Sequence, residues 1–199
     1  MLIAEGSFFN TTAAQLFEAM RVRSTLRTMP VLDPFFEDYK VLRTYSPQAE
    51  LGRRTTKRLL VYGQRDFIQG AIDEEGRRRK RRWRGLGLEE GRGGFYPREW
   101  ISASLSLPEA VQKDAGGPFH AICQKRKGYT RGFQDLVGFY TPVPDRGGAP
   151  AAAATIIMRT DLRGHIPHWI FSKTAGPTGM HLLHALQKTA GALDRPPRR

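Results

Sequence analysis

The stretch that decides the fold is Thr160-Asp161-Leu162-Arg163-Gly164-His165-Ile166-Pro167-His168-Trp169-Ile170, because it joins the end of a predicted strand to a long C-terminal helix. Pro167 suits the first turn of a helix, where its missing N–H needs no partner. Beyond it, apolar residues spaced 3, 3, 4 and 3 apart indicate one helical face: Met180, Leu183, Leu186, Ala190 and Leu193. We expect Gly176-Pro177 to kink this helix.

The residues before this stretch predict one helix followed by many strands. Leu2 to Phe9 is a predicted strand, and Thr12-Ala13-Ala14-Gln15 has the spacing of a capping box at the start of a helix. Further strands are predicted at Tyr39–Tyr45, Arg54–Tyr62, Arg65–Ile72, Ile101–Leu107, Phe119–Lys125, Tyr129–Thr141 and Ala151–Thr160. This order favours an α+β fold with a curved antiparallel sheet around the long C-terminal helix.

Composition narrows the class of protein. The chain has 199 residues, of which 40% are hydrophobic, so it can bury a substantial core and is not broadly disordered. Its single cysteine, Cys123, excludes a disulfide framework, and residues 1–9 lack the pattern of a secretory signal. No apolar run is long enough to cross a bilayer, so we expect a cytoplasmic protein that binds membranes at most peripherally.

The net charge of +13 points to polyanionic partners. Seven basic residues surround one aromatic residue in the run Arg77, Arg78, Arg79, Lys80, Arg81, Arg82, Trp83 and Arg84. Such a run is most often a solvated loop, but it could dock on an anionic membrane or bind nucleic acid. We expect the charged segment 73–100 to be an inserted loop whose ends extend the neighbouring strands.

Two more segments carry information about the family, namely Gln64-Arg65-Asp66-Phe67-Ile68 and Lys127-Gly128-Tyr129-Thr130-Arg131-Gly132. With the stretch quoted first, their order and spacing resemble the START domain family, the lipid-transfer module related to steroidogenic acute regulatory protein. The resemblance implies a helix-grip fold around a lipid-sized cavity that the last helix closes. It covers nearly all of the chain, at 1–194 with a basic tail at 195–199. It also implies that the family's usual N-terminal helix and first strands are lacking.

The resemblance also suggests which residues line the cavity. The candidates are Arg65, Phe67, Tyr129, Arg131, Trp169, Ile170, Met180, Leu183 and Leu186. Arg65 could bind a head group or form an ion pair in the cavity, or it could instead support its strand and the neighbouring turn. Tyr129 or Arg131 could hydrogen-bond a lipid carbonyl or phosphate, or both could be structural. A gating loop next to the last helix would contain Pro144, Gly147, Gly148 and Pro150.

Two family features are absent from the sequence. Leu32-Asp33-Pro34 resembles the family's Trp-Asp-Pro turn, with leucine in place of tryptophan. Some sterol-binding members carry a cavity ion pair at positions that are Gly52 and Ala71 here, so that pair does not carry over.

The sequence therefore predicts non-enzymatic binding, and possible intermembrane transfer, of one lipid such as a sterol, phospholipid or sphingolipid. The alternatives are a polyketide cyclase or aromatase of the same superfamily, and an RNA-binding protein that uses the arginine run. We expect no cofactor and no metal, since the histidine pairs His165/His168 and His181/His184 lack a third ligand.

Overall fold

A computed structural model describes residues 1–21, 25–58, 63–77, 99–143, 149–164 and 168–193. Within these ranges one open sheet is accompanied by four helices. In chain order the elements are β1 (Leu2–Phe9), α1 (Ala13–Met20), α2 (Thr25–Leu32), β2 (Phe36–Ser46), β3 (Ala49–Thr56), β4 (Arg65–Arg77), β5 (Glu99–Ser106), α3 (Glu109–Lys113), β6 (Thr130–Arg131), β7 (Phe133–Val143), β8 (Ala151–Asp161) and α4 (His168–Leu193).

All neighbouring strands along the main path of the sheet are antiparallel. Its strand order is β1-β8-β7-β5-β4-β3-β2, and the short β6 pairs with the start of β4 in parallel. Side chains alternate between the two faces of each strand. We call the face that carries Ala4, Ile156 and Tyr140 the inner face and the opposite one the outer face.

The main core lies between the inner face and the helices α1 and α4. It combines Phe8 and Ala4 of β1, alanines and Ile156 of β8, and Leu16 and Phe17 of α1 with Leu182 and Leu186 of α4. The capping box predicted at Thr12 and Gln15 is confirmed, and it fixes where α1 begins. The predicted α+β helix-grip architecture, a sheet held against a long C-terminal helix, is likewise confirmed.

A second, smaller core covers one end of the outer face. Leu51, Ile68 and Cys123 are buried there, and Leu107 and Phe119 pack against them. The segment between β5 and β6 therefore covers this end of the outer face, while α1 and α4 pack against the inner one.

Several predicted elements differ from the structure. Residues 119–123 form turns instead of a strand, because Phe119 and Cys123 bury their apolar side chains on the sheet and the backbone turns to do so. The helices α2 and α3 were not predicted, and β3 begins at Ala49 instead of Arg54. The strand extensions predicted at the ends of segment 73–100 are confirmed, since β4 continues to Arg77 and pairs with Glu99 of β5. Within the described residues, no helix has both the length and the apolar character needed to cross a membrane.

Candidate functional site

Arg65 holds the turn that leads into α4. It is buried, and its Nε donates to the carbonyl of Leu162 at 2.7 Å while Nη2 donates to the carbonyl of Arg163 at 3.3 Å. Arg163 and Gly164 both adopt positive φ, which needs such support at a non-glycine residue. The first residue of β4 thus fixes the connection between β8 and α4, and this is the supporting role considered for Arg65.

Asp66 binds the segment 127–132, one of the three that carry the family resemblance, on the outer face. Its carboxylate accepts from Nε and Nη2 of Arg131 at 2.9 and 3.1 Å, and its carbonyl accepts from the backbone N–H of Gly132 at 2.9 Å. Arg131 also donates to the carbonyl of Cys123 at 2.9 Å. A buried carboxylate needs such a partner, so Asp66 and Arg131 stabilise each other. These contacts direct Arg131 away from the face that α4 covers.

Tyr129 is likewise engaged by neighbouring side chains. Its hydroxyl donates to Glu37 at 2.8 Å, and the guanidinium of Arg126 lies 4.5 Å from its ring centroid. Burial, and then the hydrogen bond to Glu37, raise the pKa of the Tyr129 hydroxyl. The two polar candidates of this segment are therefore bound within the protein.

The inner face holds a charged pair that the sequence did not predict. Nη2 of Arg54 on β3 donates to Asp33, which follows α2, and Nη1 donates to the side chain of Gln134 on β7. Burial lowers the pKa of Arg54 to about 10. Gln134 in turn donates to the hydroxyl of Thr160 at 3.2 Å, and Gln69 donates to its carbonyl at 2.9 Å. We call Asp33, Arg54, Gln69, Gln134 and Thr160 the polar cluster.

The signal for Asp33 was present in the sequence. Leu32 is buried in the main core where the family places a tryptophan, and Asp33 stands in the matching turn. Its Oδ1 accepts from the N–H of Phe35 at 2.9 Å, which leaves Oδ2 for Arg54. The partner was missed because Arg54 was placed at the start of a strand, whereas it lies near the end of β3.

Two tyrosine rings lie flat against the inner face over glycines. A Cβ at Gly52 would lie 2.0 Å from the hydroxyl of Tyr39, and one at Gly138 would lie 2.1 Å from the hydroxyl of Tyr140. The Tyr39 hydroxyl donates to Glu50 at 2.7 Å, and the Tyr140 hydroxyl lies 3.1 Å from that of Ser102. Rings that lie against the backbone occupy less of the space between sheet and helix. Gly52 is therefore an interior strand residue, although the strand predicted in this region begins only at Arg54.

The second half of α4 packs tightly, and its buried stripe differs slightly from the predicted one. Leu186 and Ala190 are buried and Leu183 packs against the core, as predicted. Met180 is 56% exposed, so its predicted place in the stripe is wrong. Gly179 faces the sheet instead, and a Cβ there would lie 3.4 Å from Leu2.

Between residues 168 and 178 of α4, the side chains that the structure describes are exposed. Trp169 is 59% exposed, with Nζ of Lys173 at 5.5 Å from its ring centroid, and Gly176, Pro177 and Thr178 are also exposed. On the opposing inner face, several strand side chains remain only partly buried, namely those of Ser104, Gln134, Leu136, Met158 and Thr160. Gly179 contacts β1 near Leu2, and the helix before it continues toward the end of the sheet that carries the polar cluster.

Of the remaining candidates, Phe67 is described, whereas the others fall partly or wholly outside the described residues. Phe67 is buried on the inner face, and the guanidinium of Arg54 lies 5.7 Å from its ring centroid. The side chain of Ile170 lies outside the described residues, as does the gating loop except Pro150, whose carbonyl accepts from the N–H of Thr11. Of the basic run, only the backbone of Arg77 is described.

Comparison with solved structures finds similar folds over nearly the whole chain. Human StAR-related lipid transfer protein 5 aligns with a TM-score of 0.64 at 14% identity, over 96% of this chain and 75% of its own. Human STARD10 aligns with a TM-score of 0.60 at 12% identity, over 94% of this chain and 62% of its own. A STAR-related lipid transfer protein from Xanthomonas axonopodis aligns with a TM-score of 0.57 at 15% identity, over 94% and 84%.

No protein-family model matches the sequence, and no curated protein does either. The similarity of the solved structures concerns the fold, which is the one that the three sequence segments predicted. Strand β4 holds both the turn before α4 and the strand β6. Its similarity to these solved structures shows that this chain has the fold of a START lipid-transfer domain.

Proposed function

We propose that this protein binds one lipid between the inner face of its sheet and the first half of α4, without catalysing a reaction. The observation that carries the proposal is the contrast along α4. Its second half is packed into the core, whereas the described side chains between residues 168 and 178 are exposed and this part of the helix lies toward strand side chains that remain only partly buried. A space between the sheet and the helix that is lined mainly by apolar side chains would suit a ligand that is mostly hydrocarbon.

The proposed lining combines apolar side chains with the polar cluster at one end. The apolar members are Phe67 of β4, Leu136 of β7, Met158 of β8 and Leu183 of α4. We leave out Arg65, Tyr129 and Arg131, whose polar groups are bound within the protein, and Met180, which is exposed. Similar folds that are named lipid transfer proteins support this assignment.

Transfer between membranes would follow from binding. Burying a hydrocarbon chain contributes about 0.8 kcal/mol per CH₂ relative to water, but a lipid that leaves a bilayer has already gained that energy. Exchange would therefore be nearly neutral in free energy, and its rate would depend on how readily α4 and the loop at 144–150 open. Docking on an anionic membrane through Arg77–Arg84 remains a prediction, because most of this run lies outside the described residues.

The alternative of a cyclase would require an available acid or base on the inner face. Among the described residues, several titratable groups on or beside this face are already held by neighbours within the protein. Tyr39 binds Glu50, Arg54 binds Asp33, and Arg21 lies 3.7 Å from Asp73. This pairing favours binding over acid–base chemistry.

The deciding experiment is native mass spectrometry of the purified protein, with lipid extraction from the same sample. We expect one bound lipid per chain, released on unfolding. A protein that stays free of ligand after incubation with liposomes of mixed natural lipids would contradict the proposal.

A further inference from the structure

The strands β7 and β8 have apolar side chains on both faces of the sheet. From Leu136 to Tyr140 and from Ala151 to Met158, almost every residue is apolar. An antiparallel strand with one face in water usually alternates apolar with polar residues, whereas strands buried on both faces have nearly continuous apolar runs. Here α1 and α4 pack against the inner face, and the second core covers only the end of the outer face near Leu51 and Ile68.

The remaining outer face presents two neighbouring rows of side chains across β1, β8, β7 and β5. Ile3, Ile157, Val137 and Ala103 form one row, and Glu5, Thr155, Phe139 and Ile101 form the next. Ile3 is exposed, and the apolar side chains on β8, β7 and β5 in these rows are only half-buried. The one charged residue among these eight positions is Glu5, on the edge strand. An apolar surface of this extent marks an interaction site.

This part of the sheet is also regular. The strands β1, β8, β7 and β5 pair without a register shift, whereas shifts occur between β2 and β3 and at the end of β4. Such shifts are typical of β-bulges, which bend a strand and increase its twist. The regular part can therefore pack face to face on a second sheet about 10 Å away, as in a β-sandwich.

The size of this surface fits a protein partner. Four strands that are about 5 Å apart and about eight residues long present about 500 Å² of plane surface, before the relief of the side chains is included. Each partner in a specific interface of standard size contributes about 800 Å² of accessible surface. An anionic membrane or a nucleic acid would instead need positive charges on the surface, and the two rows contain none.

The charges next to these rows are arranged so that the surface can match a copy of itself. Arg159 of β8 and Asp135 of β7 are paired neighbours, with 2.6 Å between Nη2 and Oδ2. A two-fold axis that runs along the strands between β7 and β8 would place β8 of one copy over β7 of the other. Arg159 of each copy would then lie opposite Asp135 of the other, and Ile157 opposite Val137.

We infer that two copies of this chain form a dimer by packing these outer faces together, with β8 of each copy over β7 of the other. The interface would bury the two apolar rows and would let Arg159 and Asp135 form ion pairs between the copies. It lies on the face opposite to the proposed lipid site, so the inference does not depend on lipid binding.

The first test is sedimentation velocity of the full chain at about 1 to 100 µM, a range that covers the weaker interfaces of this size. We expect the wild-type protein to sediment as a dimer at the upper end of this range. Ile157→Lys places a charge in the centre of the interface and should raise the dimer dissociation constant at least about tenfold. The matched control is Val31→Lys on α2, an exposed position away from this face, which should dimerise like the wild-type protein.

The second test addresses the arrangement of the two copies. Arg159→Glu alone and Asp135→Lys alone would each place like charges opposite each other in their own dimers. An equimolar mixture of the two variants would restore opposite charges at both contacts. We expect each variant to dimerise weakly and the mixture to dimerise about as well as the wild-type protein, with circular dichroism confirming that both are folded. A mixture that assembles no better than the separate variants would overturn the inferred arrangement.

The remaining outcomes decide the inference as a whole. A wild-type protein that stays monomeric throughout the concentration range would overturn it, and so would a dimer that Ile157→Lys leaves unchanged. If Ile157→Lys does not fold, Ile3→Lys introduces the charge at an exposed position of the same row, and an unchanged dimer in that variant would have the same meaning. A monomer that binds liposomes of phosphatidylcholine, and loses this binding in Ile3→Lys, would assign the surface to a membrane and overturn the dimer.

Discussion

Arg65 and Leu162 are joined by a hydrogen bond of 2.7 Å between the guanidinium Nε and the backbone carbonyl, although 97 residues separate them in sequence. This bond links the first residue of β4 to the turn before α4. The two sequence segments around Arg65 and around Gly164 are therefore in direct contact in the folded protein.

We expect Arg65→Lys to reduce the free energy of unfolding by about 1–3 kcal/mol, because lysine cannot satisfy the carbonyls of Leu162 and Arg163 together and leaves part-buried acceptors unpaired. Chemical denaturation followed by circular dichroism would measure it. The matched control is Arg159→Lys, whose exposed ion pair with Asp135 should contribute less than about 1 kcal/mol. Equal losses in the two variants would contradict the role assigned to Arg65.

We expect Gly138→Ala to destabilise the protein by about 1–3 kcal/mol, because the new methyl group would overlap the ring of Tyr140 in a packed region. The control is Gly191→Ala in α4, where nothing lies within 4 Å of the added Cβ. There alanine should stabilise the helix by up to about 1 kcal/mol, since glycine is the poorer helix former. Thermal unfolding of both variants would show shifts of opposite sign.

We expect Leu136→Trp to abolish most lipid loading while leaving the fold intact, because the larger ring would fill part of the proposed binding space. Ile72→Trp on the exposed outer face is the control, and it should load like the wild-type protein. Native mass spectrometry after incubation with liposomes gives the loaded fraction. Full loading of a folded Leu136→Trp variant would place the ligand elsewhere.

We expect Cys123 to react with thiol reagents at least about tenfold more slowly in the folded protein than in denaturant. It is buried under Phe119, and burial raises the pKa of its thiol, so that less of the reactive thiolate forms. Stopped-flow measurement of thiol release would give both rates. A Cys123→Ala, Ala121→Cys variant, with its thiol at an exposed position, should react rapidly in both states.

Sequence reasoning predicted the order of helices and strands along the chain better than it predicted side-chain partners. The capping box at Thr12 and the stripe around Leu186 depend on local spacing, which a sequence shows directly. The pair of Arg54 and Asp33 depends on a contact between β3 and the end of α2 that spacing does not show. The start of β3 was placed too late, at Arg54, because Gly52 is required inside the strand by the Tyr39 ring on the neighbouring strand. Phe119–Lys125 was predicted to be a strand because apolar residues that cover a sheet as turns can have the same composition as a strand.

The attachment of α4 has a mechanical consequence. Arg65 secures the turn at its beginning, and the core secures its second half through Leu182, Leu186 and Ala190. A helix that is held at both ends cannot rotate about one of them, so any opening would require it to bend in the middle. The weakest point is Pro177, which cannot donate the hydrogen bond that would join it to the preceding turn. If the protein binds lipid as we propose, the lipid would enter beneath the bent middle of α4 while the contacts at both ends of the helix stay intact.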